Sequence, residues 1–240
     1  MQMTISQIIS PSKIARKKKL ISIGFMISGF LTVLFAIVSY YGQSSGNFVM
    51  SVDYNAYHRG IVLSNDDSFL VTEPQLTTQP VENARDITYS WIKINAISQT
   101  DGNYVDPDYD YIAYTFYLKN DGNETVDVIY SIKITDSQNN LDNSVRVLVI
   151  EDGIQTMFQK PDAADEFGNY PTYPATLPEV KFFLSTSIVT RKKIMNFKPN
   201  EFKKYSVIVW LEGQDPDTTD AIIGGNIKLQ MIFAIDDNQA

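Results

Sequence analysis

The chain has no cysteine and one histidine, His58, among its 240 residues. Without cysteine there is no disulfide framework, no thiol nucleophile and no thiolate metal site. With His58 alone, a multi-histidine metal centre is excluded and a histidine-dependent triad has one candidate base. Positive charge is also scarce, with 20 Lys and Arg against 28 Asp and Glu and a net charge of -8. Five of those cations (Lys13, Arg16, Lys17, Lys18, Lys19) precede residue 42, where no acid occurs, so the rest of the chain sets 15 cations against all 28 acids. A body this acidic does not suit the phosphate contacts of a nucleic-acid binder. No repeat of fixed period occurs, which argues against a solenoid or propeller. There is no His-Glu-x-x-His and no Gly-x-Ser-x-Gly, the spacings that zinc proteases and the hydrolase nucleophile elbow require. His58, in Tyr57-His58-Arg59-Gly60, stands beside no patterned nucleophile and reads as a surface or packing residue. No pair among the scattered acids is nominated for glycoside hydrolysis, because the separation that matters is spatial. The chain is expected not to be an enzyme.

What is present begins with a long hydrophobic run. Residues 20–41 are 22 residues without a charge, which as a helix would span about 33 Å against a hydrocarbon core of about 30 Å. The cluster Arg16-Lys17-Lys18-Lys19 lies before it and the neutral Gly42 to Gly46 after it. The positive-inside rule therefore makes 1–19 a cytoplasmic basic tail, 20–41 a transmembrane signal anchor, 42–47 a short linker and 48–240 an extracellular domain. The lipid bilayer is the first expected partner. The competing reading is a cleaved signal peptide, whose apolar core is usually only about 7–15 residues long. Gly24, Ser28, Thr32 and Ala36 fall four apart on one stripe, a small-xxx-small pattern that allows self-association.

From Phe48 the period changes to short runs of alternating apolar and polar residues, separated by Asp, Asn, Gly and Pro clusters, the mark of half-buried strands. Strands are expected over 48–54, 87–97, 111–118, 125–135, 145–150, 181–188, 205–211 and 227–235. The fold class this implies is all-β, a jelly-roll-like or Greek-key β-sandwich ectodomain preceded by one N-terminal transmembrane helix. Asp121-Gly122 suggests that residues 111–135 form a hairpin. Pro161, Pro171, Pro174 and Pro178 make 161–178 a surface loop, since each proline removes a ladder donor. A short helix is expected over 218–223, closed by Gly224-Gly225.

Three stretches resemble the exported camelysin and TasA family of Gram-positive bacteria. They are Gly46 to Asp53, the run Phe116-Tyr117-Leu118-Lys119-Asn120-Asp121-Gly122 with its continuation to Val128, and the pair formed by Tyr205 to Leu211 and Ile227 to Ala234 after Gly224-Gly225-Asn226. The resemblance implies a membrane-targeted cell-surface protein with a jelly-roll ectodomain that assembles into fibres or matrix by strand exchange. The metalloprotease activity attached to some camelysin-type proteins is not carried over, because the zinc motif is missing.

Two acidic loops are calcium candidates. One carries Asp101, Asn103, Asp106, Asp108 and Asp110, the other Asp215, Asp217 and Asp220 after Glu212. Hard cations need about six to eight oxygens at about 2.3–2.6 Å, which such loops supply jointly, although neither has EF-hand spacing and Asp, Pro and Gly are also ordinary turn residues. A basic tract, Arg191, Lys192, Lys193, Lys198, Lys203 and Lys204, stands out in an acidic domain. It reads as a solvated loop or as a contact for another copy, an anionic cell-wall polymer or a protein partner. The functional expectation is a membrane-anchored surface protein for assembly or adhesion, with a calcium-dependent ligand- or glycan-binding module as the alternative.

Overall fold

The structure is a computed structural model that describes residues 47–162, 164, 167–172 and 179–237, together with Ser28, Gly29 and Thr32. The expected anchor, residues 20–41, otherwise lies outside the described residues. Among the described residues no helix is long and apolar enough to cross a membrane. The chain divides into two units, Met1–Ser45 and Gly46–Ala240, and the fold below is that of the second.

Its strands pair into two mixed sheets. The five-stranded sheet runs β11 (Ile188–Phe197), β7 (Val126–Ser137), β13 (Ile227–Ile235), β1 (Phe48–Val52), β3 (Gln75–Thr77). The other runs β10 (Val180–Phe182), β9 (Ile154–Gln159), β8 (Val145–Glu151), β12 (Phe202–Glu212), β6 (Ile112–Asn120), β2 (Ile61–Ser64). Two short strands complete its eight: β4 (Asp86–Ile87) on β12 and β5 (Gly102–Asn103) on β6. Most neighbours are antiparallel, while β1 lies parallel to β13, β10 parallel to β9 and β4 parallel to β12. The coarse expectation of a β-rich, two-sheet domain is met.

Alternation along the strands builds the core. β1 and β13 turn Phe48, Met50, Leu229, Met231 and Phe233 inward, where they meet Phe116, Leu118, Tyr205 and Val207 of the opposing sheet. At the centre Phe116 and Tyr205 stack at 5.4 Å, and Phe233 sets its edge against both at 6.1 and 5.5 Å. Aromatic groups in these arrangements contribute beyond their buried area.

Four local expectations are corrected. Asp121-Gly122 does not close a hairpin, because β6 and β7 belong to different sheets. The turn instead carries the chain across the sandwich, and the buried Asn120 organises it. The Asn120 side-chain amide donates to the carbonyls of Phe197 and Glu124 at 2.8 and 2.9 Å, and its oxygen accepts from the Gly122 N–H at 3.0 Å. Gly122 passes so close to the Arg59 carbonyl that a Cβ would lie 2.2 Å from it. Second, 87–97 is not one strand: only Asp86–Ile87 pairs, followed by a 3-10 turn at Tyr89–Trp91 and a helix at Ile94–Gln99. Ile87, Ile92 and Ile97 all point at the outer face of the eight-stranded sheet, a spacing no strand satisfies. Third, 181–188 breaks between β10 and β11, where the Ser185 hydroxyl accepts from the N–H groups of Ser187 and Ile188 and competes with the ladder. The expected helix over 218–223 shrinks to a 3-10 turn at Asp220–Ile222. The described residues of 161–178 form no strand.

Candidate functional site

The outer face of the eight-stranded sheet is apolar, so it demands a cover. Residues 86–111 supply it. Ile87, Ile92, Ile97 and Tyr111 close over Ala113, Leu148, Ile150, Met157, Ile208 and Trp210 as a second core. Polar groups beneath are matched too: the Thr115 hydroxyl donates to the Ile97 carbonyl at 2.9 Å, and the Trp210 indole N–H donates to Glu212 Oε2 at 3.0 Å.

Where this cover turns back toward β5 and β6, it leaves a cleft of about 300 Å³. Gln79, Glu82, Asn83, Asn103, Tyr104, Tyr109 and Asp110 are among the residues that line it. Its wall is braced by Asp106, whose side chain is wholly buried. Asp106 accepts from the Tyr111 hydroxyl at 2.8 Å, the Asp108 N–H at 2.9 Å and Lys93 Nζ at 3.1 Å. Burial opposes ionisation of Asp106, but these donors outweigh it and hold its carboxyl below the ordinary value. Burial and then the hydrogen bond to Asp106 raise the Tyr111 phenol and keep it protonated. Lys93 also reaches Asp108 at 2.8 Å, and these two carboxylates raise its ammonium, Asp108 first.

The first acidic loop therefore does not gather its oxygens round one point. Asp106 and Asp108 face Lys93, Asp101 accepts from the Tyr117 hydroxyl at 3.0 Å, and Asn103 accepts from the Gln79 N–H at 2.7 Å. Asp110 lies exposed on the cleft. Asp106 and Asp108 serve as braces of the cleft wall.

The second acidic loop behaves differently. Asp215 and Asp217 meet Asp162, which the sequence reading did not nominate, with one oxygen from each within 4.8 Å of the others. Two ligand oxygens on opposite sides of a calcium ion at about 2.4 Å stand about 4.8 Å apart, so this spacing suits a hard cation. Asp220, in the following 3-10 turn, is not part of the group. Beside it Arg146 of β8, with its side chain 1% exposed, pairs with Asp215 at 2.6 Å. The Gln159 amide donates to Asp162 at 3.0 Å. Burial first, then the charges of Asp215 and Asp162, raise the carboxyl of Asp217 above its usual value against the pull of Lys160 and Arg146. No linear spacing could have found Asp162. A lone arginine inside the apolar run Val145-Arg146-Val147-Leu148-Val149 was the available signal, because a buried charge needs a partner.

The basic tract is made of parts of two strands, β11 and β12, and the turn between them, not a solvated loop. Arg191, Lys192 and Lys193 lie on β11, which pairs with β7 and buries Val189, Ile194 and Phe197. Much of the charge is used inside the domain: Lys192 pairs with Glu151 at 2.6 Å, Lys193 with Asp127 and Asp236 at 2.8 and 3.0 Å, and Lys203 with Asp152 at 2.9 Å. Lys204 sits over the Tyr117 ring at 5.2 Å. Arg191 and Lys198 are exposed. His58 packs its ring against Tyr54 at 4.3 Å in a short exposed helix, as a packing histidine.

No family model matches the chain, and no curated protein matches it. Among solved structures it has a likeness to a beta-glucosidase from Kluyveromyces marxianus in complex with glucose, at 12% identity and a TM-score of 0.23, covering 74% of this chain and 16% of that one. A likeness that weak says nothing about fold or activity.

Proposed function

We propose that the protein is a single-pass cell-surface interaction protein, with residues 1–19 in the cytoplasm, 20–41 in the bilayer and the domain 48–240 outside, where it mediates adhesion or assembly rather than catalysis. The observation that carries this reading is the charge-free run of 22 residues behind Arg16-Lys17-Lys18-Lys19, whose length and flanks suit a retained anchor. The resemblance to camelysin and TasA proteins gains support from the roles of its motif. Phe116 and Leu118 fill the core, while Asn120 and Gly122 make the crossover, so those residue types have structural work there. On this reading the two sheets form a jelly-roll-like or Greek-key sandwich. β11, a ten-residue strand at one end of its sheet's order, carries Arg191, Lys192 and Lys193, charges of the kind that restrain edge-to-edge addition. Assembly is then a regulated contact, sensitive to salt.

Protease treatment of intact cells tests the topology. Loss of a C-terminal epitope, with the N-terminal tail protected, is expected; a C-terminal domain that survives shaving while lysed cells lose it overturns the reading. Size-exclusion chromatography and electron microscopy across a salt series test assembly, and a strict monomer throughout removes it.

A second reading, a calcium-dependent ligand- or glycan-binding module, is favoured by the convergence of Asp162, Asp215 and Asp217. Calorimetric titration with calcium decides it: heat and a raised melting temperature support the module, and absence of both removes it.

A further inference from the structure

We propose that the cleft lined by residues 79–83 and 103–110, extended by the stacked pair Tyr109 and Trp91, is a binding site for a neutral oligosaccharide, and that it works without calcium. Trp91 is 49% exposed although it is one of two tryptophans, the other being Trp210 at 3%. Its ring lies on Tyr109 with centroids 5.2 Å apart and planes 23° from parallel, and Tyr109 lines the cleft. The rings are stacked on one another, and the half-exposed Trp91 leaves its remaining surface open beside the cleft.

That surface is held in place by charge. Lys93, two residues after Trp91, binds Asp108, which adjoins Tyr109, and Asp106 as well. Asp106 in turn holds Tyr111, so the chain is pinned on both sides of Tyr109. An aromatic pair braced in this way loses little conformational entropy on binding, which is where preorganised sites gain affinity.

The chemistry around it selects the ligand. Glu82, Asn83 and Asp110 are exposed along the cleft and offer acceptors and amide donors to hydroxyl groups. A pyranose with equatorial hydroxyls has an apolar C–H face for the rings and a polar rim for these side chains. The carboxylates of Glu82 and Asp110 repel phosphate, sulfate and uronate groups, so anionic sugars are excluded. The volume of about 300 Å³ stands at the small end of ligand pockets, about 300–1,000 Å³, and fits a short stretch of chain rather than a folded partner. Because Asp106 and Asp108 are already matched by Lys93, no ion is needed to organise the wall.

The inference deepens the surface-interaction reading and rests on it for its setting. The test separates the two, because binding in solution and topology on cells fail independently. The full chain is titrated with cellohexaose and chitohexaose in EDTA, followed by tryptophan emission and calorimetry. A change in Trp91 emission and micromolar-to-millimolar binding to at least one sugar are expected. Trp91→Ala and Tyr109→Ala each weaken that binding at least about tenfold, equivalent to about 1.4 kcal/mol, whereas Trp210→Phe leaves it within about twofold. Lys93→Met, which unties the brace, weakens it several-fold while the circular dichroism spectrum stays unchanged. No response to either sugar, a response abolished by EDTA, equal affinity in Trp91→Ala, or a response to the polyamine spermidine alone would each overturn the proposal.

Discussion

β13 alternates buried and half-buried residues along most of its length, whereas β8 is buried at every one of its seven positions. The five-stranded sheet thus has a wetter face along β13, whereas at β8 the eight-stranded sheet is covered on both faces. The difference lies in residues 86–111, which form no sheet of their own and build a second core on the outer face. That cover buries the apolar outer face, and it also carries the braced aromatic pair and part of the cleft. A scaffold core and a separate layer that positions a site are divided between the two faces of one sheet.

The comparison is broken first at the shared centre. Phe233→Ala removes a ring that touches both Phe116 and Tyr205 and is expected to cost about 3–5 kcal/mol, read from urea unfolding as one cooperative loss of both layers. Arg146→Met leaves the buried Asp215 without its ion partner and is expected to cost about 3–4 kcal/mol, by the same measurement.

A smaller effect separates the layers. Ile97→Ala, in the cover, should cost about 2–3 kcal/mol, and hydrogen exchange should show 86–111 opening while β12 amides stay protected. If β12 exchanges in step with the cover, the two cores are one cooperative unit.

The smallest effect concerns two carboxyls shifted in opposite directions. The lowered Asp106 contributes stability that is present above its unfolded pKa and lost as pH falls through its folded value. The raised Asp217 contributes stability that is present below its unfolded pKa and lost as pH rises through its folded value. Asp217→Asn should therefore raise the melting temperature by about 1–2 °C at pH 7 without divalent ions, with the gain vanishing in acid. Asp106→Asn should lower it at pH 7, with the loss shrinking in acid. Differential scanning calorimetry at two pH values checks both signs.

Much of the scaffold was legible. β13 lies over the very residues its alternation marks, 227–235, and β6, β7, β8 and β12 overlap their expected ranges within a few residues. The turns were less so. Asp121-Gly122 was credited with a hairpin and makes a crossover, while Asp152-Gly153, with φ of 49° and 85°, links β8 and β9 through a two-residue turn. The two dipeptides look alike, and what separates them is the buried Asn120 beside the first, whose hydrogen bonds reach residue 197. The tract 191–204 reads as a solvated loop or a contact because lysines dominate its composition, although Val189, Ile194 and Phe197 give β11 a buried side. Of the site, the sequence showed the acids of 101–110 but not their partner Lys93, nor the stack of Trp91 on Tyr109. Those meetings depend on how the cover folds back.

By itself the sequence determined the absence of thiol and multi-histidine chemistry, the asymmetric basic start before a charge-free run, and the two-residue period of most strands. Each is a property of residues close together in the chain. The tertiary structure alone decided which acids become braces and which converge. Asp106 finds Lys93 and Asp217 finds Asp162, because the energy of a carboxylate depends on the charges and donors that folding brings within a few ångströms, and spacing along the chain does not encode that distance.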